Sequence, residues 1–561
     1  MPSLDDRVQS LARRLDAIES RLATLETRPA PVPAAGEEPA ARPDAATERL
    51  PALDARRWTT ALGRSFIVLG GAFLLRALTD AGVWRPGAGV TLGLLYALVW
   101  IGASVRASRQ SDRVLGAADG AIALVIGFPL IVEATLRFRL FTPPASAVVL
   151  GVFAGLVLTS ASATRLQSLA WLTTAGGMIT GFGLMVRTGV VAPYAVYFIG
   201  LGVAALWLGY LREWKGLRWP AGWLAVIGAV GVTSRALTQP PSEPAATAWL
   251  VQALLFIGYL ASIAVRTLVR GRQVIPFEVV QTSLVLMTSV SGALAVSRAS
   301  GTGATALGTA LVALGASAYL VSFPFLPRES RGALNFYFYS TLALVLVLVG
   351  VGTALSGPAQ AMALTAFAAL LAAAWSRTTR VSLGAHAALA LVAASALSGL
   401  LTLGEGAFVG PLPPVAGLWT AGPPLALAVL LAGSRVASAH TPTPAMRDAP
   451  AVVITALGLG GLAGVLTVGA AAGAEALAGI TLGEGGLATV RTAILSICAV
   501  ACARLARPGR FSAAGPLAYP LLLATGAKLL MVDLRESTAA TLFVALACYG
   551  VSLVLLPRLC R

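Results

Sequence analysis

After about sixty polar residues the chain becomes a succession of apolar stretches that runs to its end at Arg561, each roughly 17–25 residues long, the length a helix needs to cross a bilayer core. Only helices satisfy every backbone group in lipid at this hydrophobicity, because barrel strands alternate polar and apolar residues and these stretches do not. The predicted fold is therefore all-α, a polytopic transmembrane bundle of about eighteen spans. Their centres fall near residues 70, 96, 125, 153, 177, 200, 227, 256, 286, 315, 344, 367, 392, 422, 461, 495, 522 and 547.

Composition excludes the competing classes. With 57% hydrophobic residues, 12% charged and a mean hydropathy of +0.81, the chain is neither disordered nor a single water-soluble core. The net charge of +17 invites a nucleic-acid reading, but the arginines recur in ones, twos and threes between apolar stretches and form no single patch. They behave as a topology signal. With the amino terminus in the cytoplasm, inner loops hold roughly three times as many basic residues as outer ones, as the positive-inside rule demands. An even span count then returns the carboxy terminus, with Arg558 and Arg561, to the cytoplasm. The opening residues contain no apolar signal core, so the first span is expected to direct insertion.

Residues 1–28 carry Leu4, Val8, Leu11, Leu15, Ile18, Leu22 and Leu25 at alternating spacings of four and three. That is the a/d seam of a short coiled coil, open to a second copy or a partner helix, and the same stripe also fits an amphipathic helix lying on lipid. Residues 29–57 are rich in Pro, Ala and acidic side chains and read as a disordered linker. Residues 58–561 form the multi-span membrane domain, with lipid as its obligatory partner.

Ionisable residues inside spans are costly and mark function by default. Arg76, Asp80, Glu133, Arg137, Arg139, Lys528 and Asp533 all fall toward the predicted outer face, where positive charge is scarce. The expectation is that spans one, three and seventeen meet there in a net-positive pocket suited to a phosphate or carboxylate head group. The alternative is that these side chains snorkel to the interface and merely pair helices. Arg64, Asp119 and Glu278 lie nearer the cytoplasmic edge and read as interface anchors, while Arg491 lies within the sixteenth span.

Other features resolve into packing. Cys498 and Cys502 lie one helical turn apart in an apolar stretch, Cys548 and Cys560 are distant, and His386 and His440 stand alone, so no metal, cofactor or catalytic triad is expected. Gly458, Gly460 and Ala463 match a dinucleotide fingerprint but sit inside a span, where close helix packing is the better reading. Trp84, Trp207, Trp214, Trp219, Trp223 and Trp375 fall at span ends as interfacial anchors. The string TLGEG occurs at residues 402–406 and 481–485, both in predicted outer loops.

Two stretches, LGRSFIVLGGAFLLRALTDAGVW (residues 62–84) and AKLLMVDLRESTAATLFVALACYGVSLVLL (residues 527–556), resemble the bacterial membrane-protein family named domain of unknown function 2339. Gly70, Arg76, Asp80, Lys528, Asp533 and Leu534 match its recurrent positions. The resemblance implies residence in the bacterial inner membrane with a coiled coil, a linker and many spans, and it brings no activity. Three functions stay open: a transporter or flippase for an anionic small molecule or lipid, a scaffold acting through the coiled coil, and a membrane enzyme acting on lipid-linked substrates. No acidic pair in the outer loops supports the enzyme.

Overall fold

A computed structural model describes residues 63, 70–71, 74, 76–79, 81–110, 112–214, 216–239, 243–325, 333–414, 417–433, 444–479, 482–506 and 512–559. The coiled coil and linker expected over residues 1–57 lie outside the described residues. Contacts divide the chain into Met1–Gly71 and Ala72–Arg561, and the bundle lies in the second unit. No strand occurs among the described residues.

The first helices are α1 (Pro86–Arg109), α2 (Arg113–Leu136), α3 (Pro143–Thr164), α4 (Gln167–Thr188), α5 (Ala192–Arg212) and α6 (Arg218–Thr238). They are followed by α7 (Ala245–Ala264), whose last turn continues as a π-helix over Val265–Val269, then α8 (Pro276–Ser300), α9 (Ala304–Ser322), α10 (Ala333–Ala354), α11 (Gly357–Thr378) and α12 (Val381–Ser398). The chain closes with α13 (Leu400–Gly406), α14 (Leu418–Ala432), α15 (Pro444–Ala478), α16 (Glu484–Leu505), α17 (Gly515–Lys528) with a second π-helix over Leu529–Asp533, and α18 (Ala539–Leu559). Among the described residues sixteen helices are long and apolar enough to cross a membrane. The centre expected near residue 422 falls in α14, which has only 15 residues and carries Pro423 and Pro424.

Proline fixes several helix starts. Pro86, Pro143 and Pro276 open α1, α3 and α8, where the missing N–H would have had no partner anyway. Connections such as residues 110–112, 165–166, 189–191, 355–356 and 379–380 are too short to recross a core of about 30 Å, so consecutive helices run antiparallel. One end of the bundle gathers Arg106, Arg109, Arg165, Arg212, Arg270, Arg272, Arg377 and Arg380, and the other is arginine-poor.

Association in lipid rests on close packing, because lipid tails are as apolar as the side chains they would leave. Between α9 and α10 the glycines permit near backbone contact: a Cβ at Gly308 would sit 2.5 Å from the Ala354 nitrogen, and one at Gly350 2.8 Å from the Gly308 carbonyl. Gly458 lies against the Ala428 backbone and Gly464 against Leu403, which makes the fingerprint-like string on α15 a packing stripe. Large apolar side chains face outward, with Ile179 73%, Leu320 72% and Leu430 72% exposed, an arrangement suited to lipid.

Two tryptophans depart from the expected anchoring. Trp219 and Trp223 are exposed, but Trp214 is buried, and Trp375 is buried because Gly384 on α12 leaves room for its indole.

Candidate functional site

The charges expected to mark function resolve into separate groups. The most enclosed is at the arginine-poor end, where α17 passes into its π-helical turn. Lys528 and Asp533 are five residues apart, which on an α-helix would place them about 140° apart around the axis. The i→i+5 repeat of a π-helix brings them onto one face. The Lys528 ammonium donates to Asp533 Oδ1 at 2.5 Å, to the Thr492 hydroxyl at 2.8 Å and to the Ala488 carbonyl at 2.8 Å. Thr492 in turn donates to Asp533 Oδ2 at 2.5 Å. The side chains of Lys528 and Asp533 are 3% and 0% exposed. All three ammonium hydrogens are committed to protein acceptors.

Arg491, one residue before Thr492 on α16, is also buried. Its Nη2 donates to the Gly410 carbonyl at 2.5 Å, while Nε is buried without a partner. Gly410 has φ +86°, a left-handed backbone that an L side chain resists, and it lies in the segment after α13. Both TLGEG copies adjoin this cluster. The first lies in α13, a helix where a loop was expected, and leads to Gly410. The second ends at Gly485, where a Cβ would meet the Glu536 carbonyl at 2.6 Å. Arg491 feels the charges of Asp533 and Glu536, and Lys528 is repelled by Arg491.

Arg76 pairs instead with Glu133, Nη2 to Oε1 at 2.7 Å, with side chains 46% and 23% exposed. Residues 76–79 are helical, and the pair ties them to the last turn of α2. Arg137 stacks over Phe138 at 5.3 Å just past the end of α2, and Arg139 is exposed in a left-handed turn. Asp80 lies outside the described residues. α2 packs chiefly on α1, α3 and α4, whereas α17 packs on α15, α16 and α18, because short connections keep sequence neighbours together.

A second enclosed cluster was missed. Glu278, expected as an interface anchor, is 0% exposed and so does not reach water. Its Oε1 accepts from the Tyr210 hydroxyl at 2.6 Å and from Arg266 Nη1 at 2.9 Å, and its Oε2 accepts from the same Nη1 and from the Ile275 N–H, both at 2.8 Å. Arg266 lies in the π-helix Val265–Val269. Both π-helices among the described residues therefore carry a partner of a buried ion pair, the setting in which such bulges accompany function. Only a carboxylate in the first turn of a proline-opened span signalled this site in the sequence.

Fold and charge clusters together define a polytopic helical membrane protein with charges held inside its bundle. No protein-family model, curated protein or solved structure matches the chain.

Proposed function

We propose that this protein is a transporter or flippase of the bacterial inner membrane, with both termini in the cytoplasm, acting on an anionic small molecule or lipid head group. Its proposed place in the family named domain of unknown function 2339 rests on the two stretches quoted above. The observation that carries the reading is the closed Lys528–Asp533–Thr492 network beside Arg491, whose Nε has no acceptor. Burying such charges in lipid is costly, and a purely structural bundle gains little from it.

The network also sets what a bound anion has to displace. Lys528 already has Asp533 as its counter-ion, so a substrate anion competes with that carboxylate. Arg491, one residue before Thr492 on α16, adds a second buried cation to the group. The exposed Glu536 also acts on both cations.

The test is mass spectrometry of small molecules and lipids retained by protein in native-lipid particles. Wild type is compared with Lys528→Met/Asp533→Asn and with Arg76→Ala. An anionic species retained by wild type and Arg76→Ala but lost from the double variant is the expected result. Equal retention in all three, from well-folded samples, moves the reading to a scaffold working through Leu4, Val8, Leu11, Leu15, Ile18, Leu22 and Leu25.

A further inference from the structure

Arg218 opens α6 at the arginine-rich end and is 8% exposed. Its guanidinium stacks over the Phe277 ring at 4.2 Å, yet Nε is buried with no hydrogen-bond partner. The nearest carboxylate cannot answer it, because the Glu278 oxygens already take bonds from Tyr210, Arg266 and the Ile275 backbone. Arg266 adds a second positive charge that acts against Arg218.

A second donor waits on the facing helix. Gln281, one turn beyond Phe277 on α8, is 1% exposed, and its Nε2 has no partner. That nitrogen lies against Gly222, one turn beyond Arg218 on α6, where a Cβ would sit 3.0 Å away. Two arginines against one carboxylate leave a net positive charge, and two buried donors on adjoining turns lack acceptors. A buried donor without an acceptor costs about 1–3 kcal/mol, more when it is charged. A ligand supplying anionic oxygens relieves both deficits at once.

We infer that the junction of the first turns of α6 and α8 binds a phosphate group, carried by an anionic lipid. Arg218 supplies the planar donor fork and Gln281 a neutral donor, while Arg266 stays committed to Glu278. The surroundings favour a head group over a free ion. Trp219, which packs edge-on to Phe277 at 4.7 Å, and Trp223 are both exposed on α6, and Arg270 stacks over Trp207 at 5.0 Å. Indole and arginine together suit the boundary between head groups and acyl chains.

The experiment uses the full-length protein in detergent. Native mass spectrometry reads binding of phosphatidylglycerol and phosphatidylcholine, and equilibrium dialysis reads radiolabelled inorganic phosphate. Phosphatidylglycerol is expected to bind in preference to phosphatidylcholine, and Arg218→Gln is expected to weaken it about tenfold or more. Arg218→Lys, which keeps the charge and loses the fork, loses part of the affinity, and Arg377→Gln, an exposed change at the same end, loses none. Inorganic phosphate binding with the same dependence on Arg218 keeps the site and assigns it to the free ion. Equal binding of the two lipids together with no phosphate binding by wild type overturns the inference, as does undiminished binding by folded Arg218→Gln. Either result leaves the reading of Lys528 untouched, because the two clusters share no residue.

Discussion

Lys528 and Asp533 show how a charge survives inside a lipid-facing bundle: each satisfies the other, and Thr492 bridges both. Removing one partner strands the other, whereas removing both charges leaves no buried charge without its counter-ion. Lys528→Met is therefore expected to cost about 3–5 kcal/mol, and Lys528→Met/Asp533→Asn to recover most of it. Thermal unfolding of purified protein in detergent reads both, and equal losses in the single and double variants would contradict a coupled pair. The Arg76–Glu133 pair behaves differently. It is partly exposed, so Arg76→Ala is expected to change stability by at most about 1 kcal/mol.

At the scale of elements, the two π-helices do what an α-helix cannot. In α17 the widened turn aligns residues five apart, and in α7 it places Arg266 against Glu278 at the start of the next span. Deleting Met531, which is 70% exposed, is expected to restore α-helical winding with Lys528 and Asp533 four residues apart, about 40° around the axis, so that the pair stays on one face. The deletion variant should insert, purify and keep the anion retained by wild type. Loss of the anion would show that the bulge does more than align the pair. Close packing by glycine is the other device, and Gly308→Leu is expected to push α9 from α10 and lower the melting temperature, since the nearest atoms are backbone and cannot yield.

For the whole molecule, alternating helices and lopsided arginines make one orientation testable. In a variant lacking the native cysteines, Ser356→Cys on the α10–α11 connection is expected to react with an impermeant maleimide in intact cells. Gln110→Cys on the α1–α2 connection should react only after lysis. The reverse pattern would invert the proposed orientation and place the Lys528 cluster on the cytoplasmic side.

Helix number and class were legible in the chain, because lipid leaves the backbone no alternative to helices and span length follows from bilayer thickness. Each expected centre after the first falls within a described apolar helix, although α14 is shorter than a span. The identity of the enclosed charges was only partly legible. Lys528 and Asp533 were singled out by their scarcity near one end of the bundle, but their bond depends on a π-helical turn that no apolar pattern announces. Glu278 and Arg218 were hidden for the opposite reason. Near a span end, a buried charge and a snorkelling one have the same sequence, and only the packing of α5, α6, α7 and α8 around them decides which reaches water. Hydropathy is a property of single segments and survives without neighbours, whereas burial, pairing and orphaned donors belong to surfaces that meet only after the helices assemble.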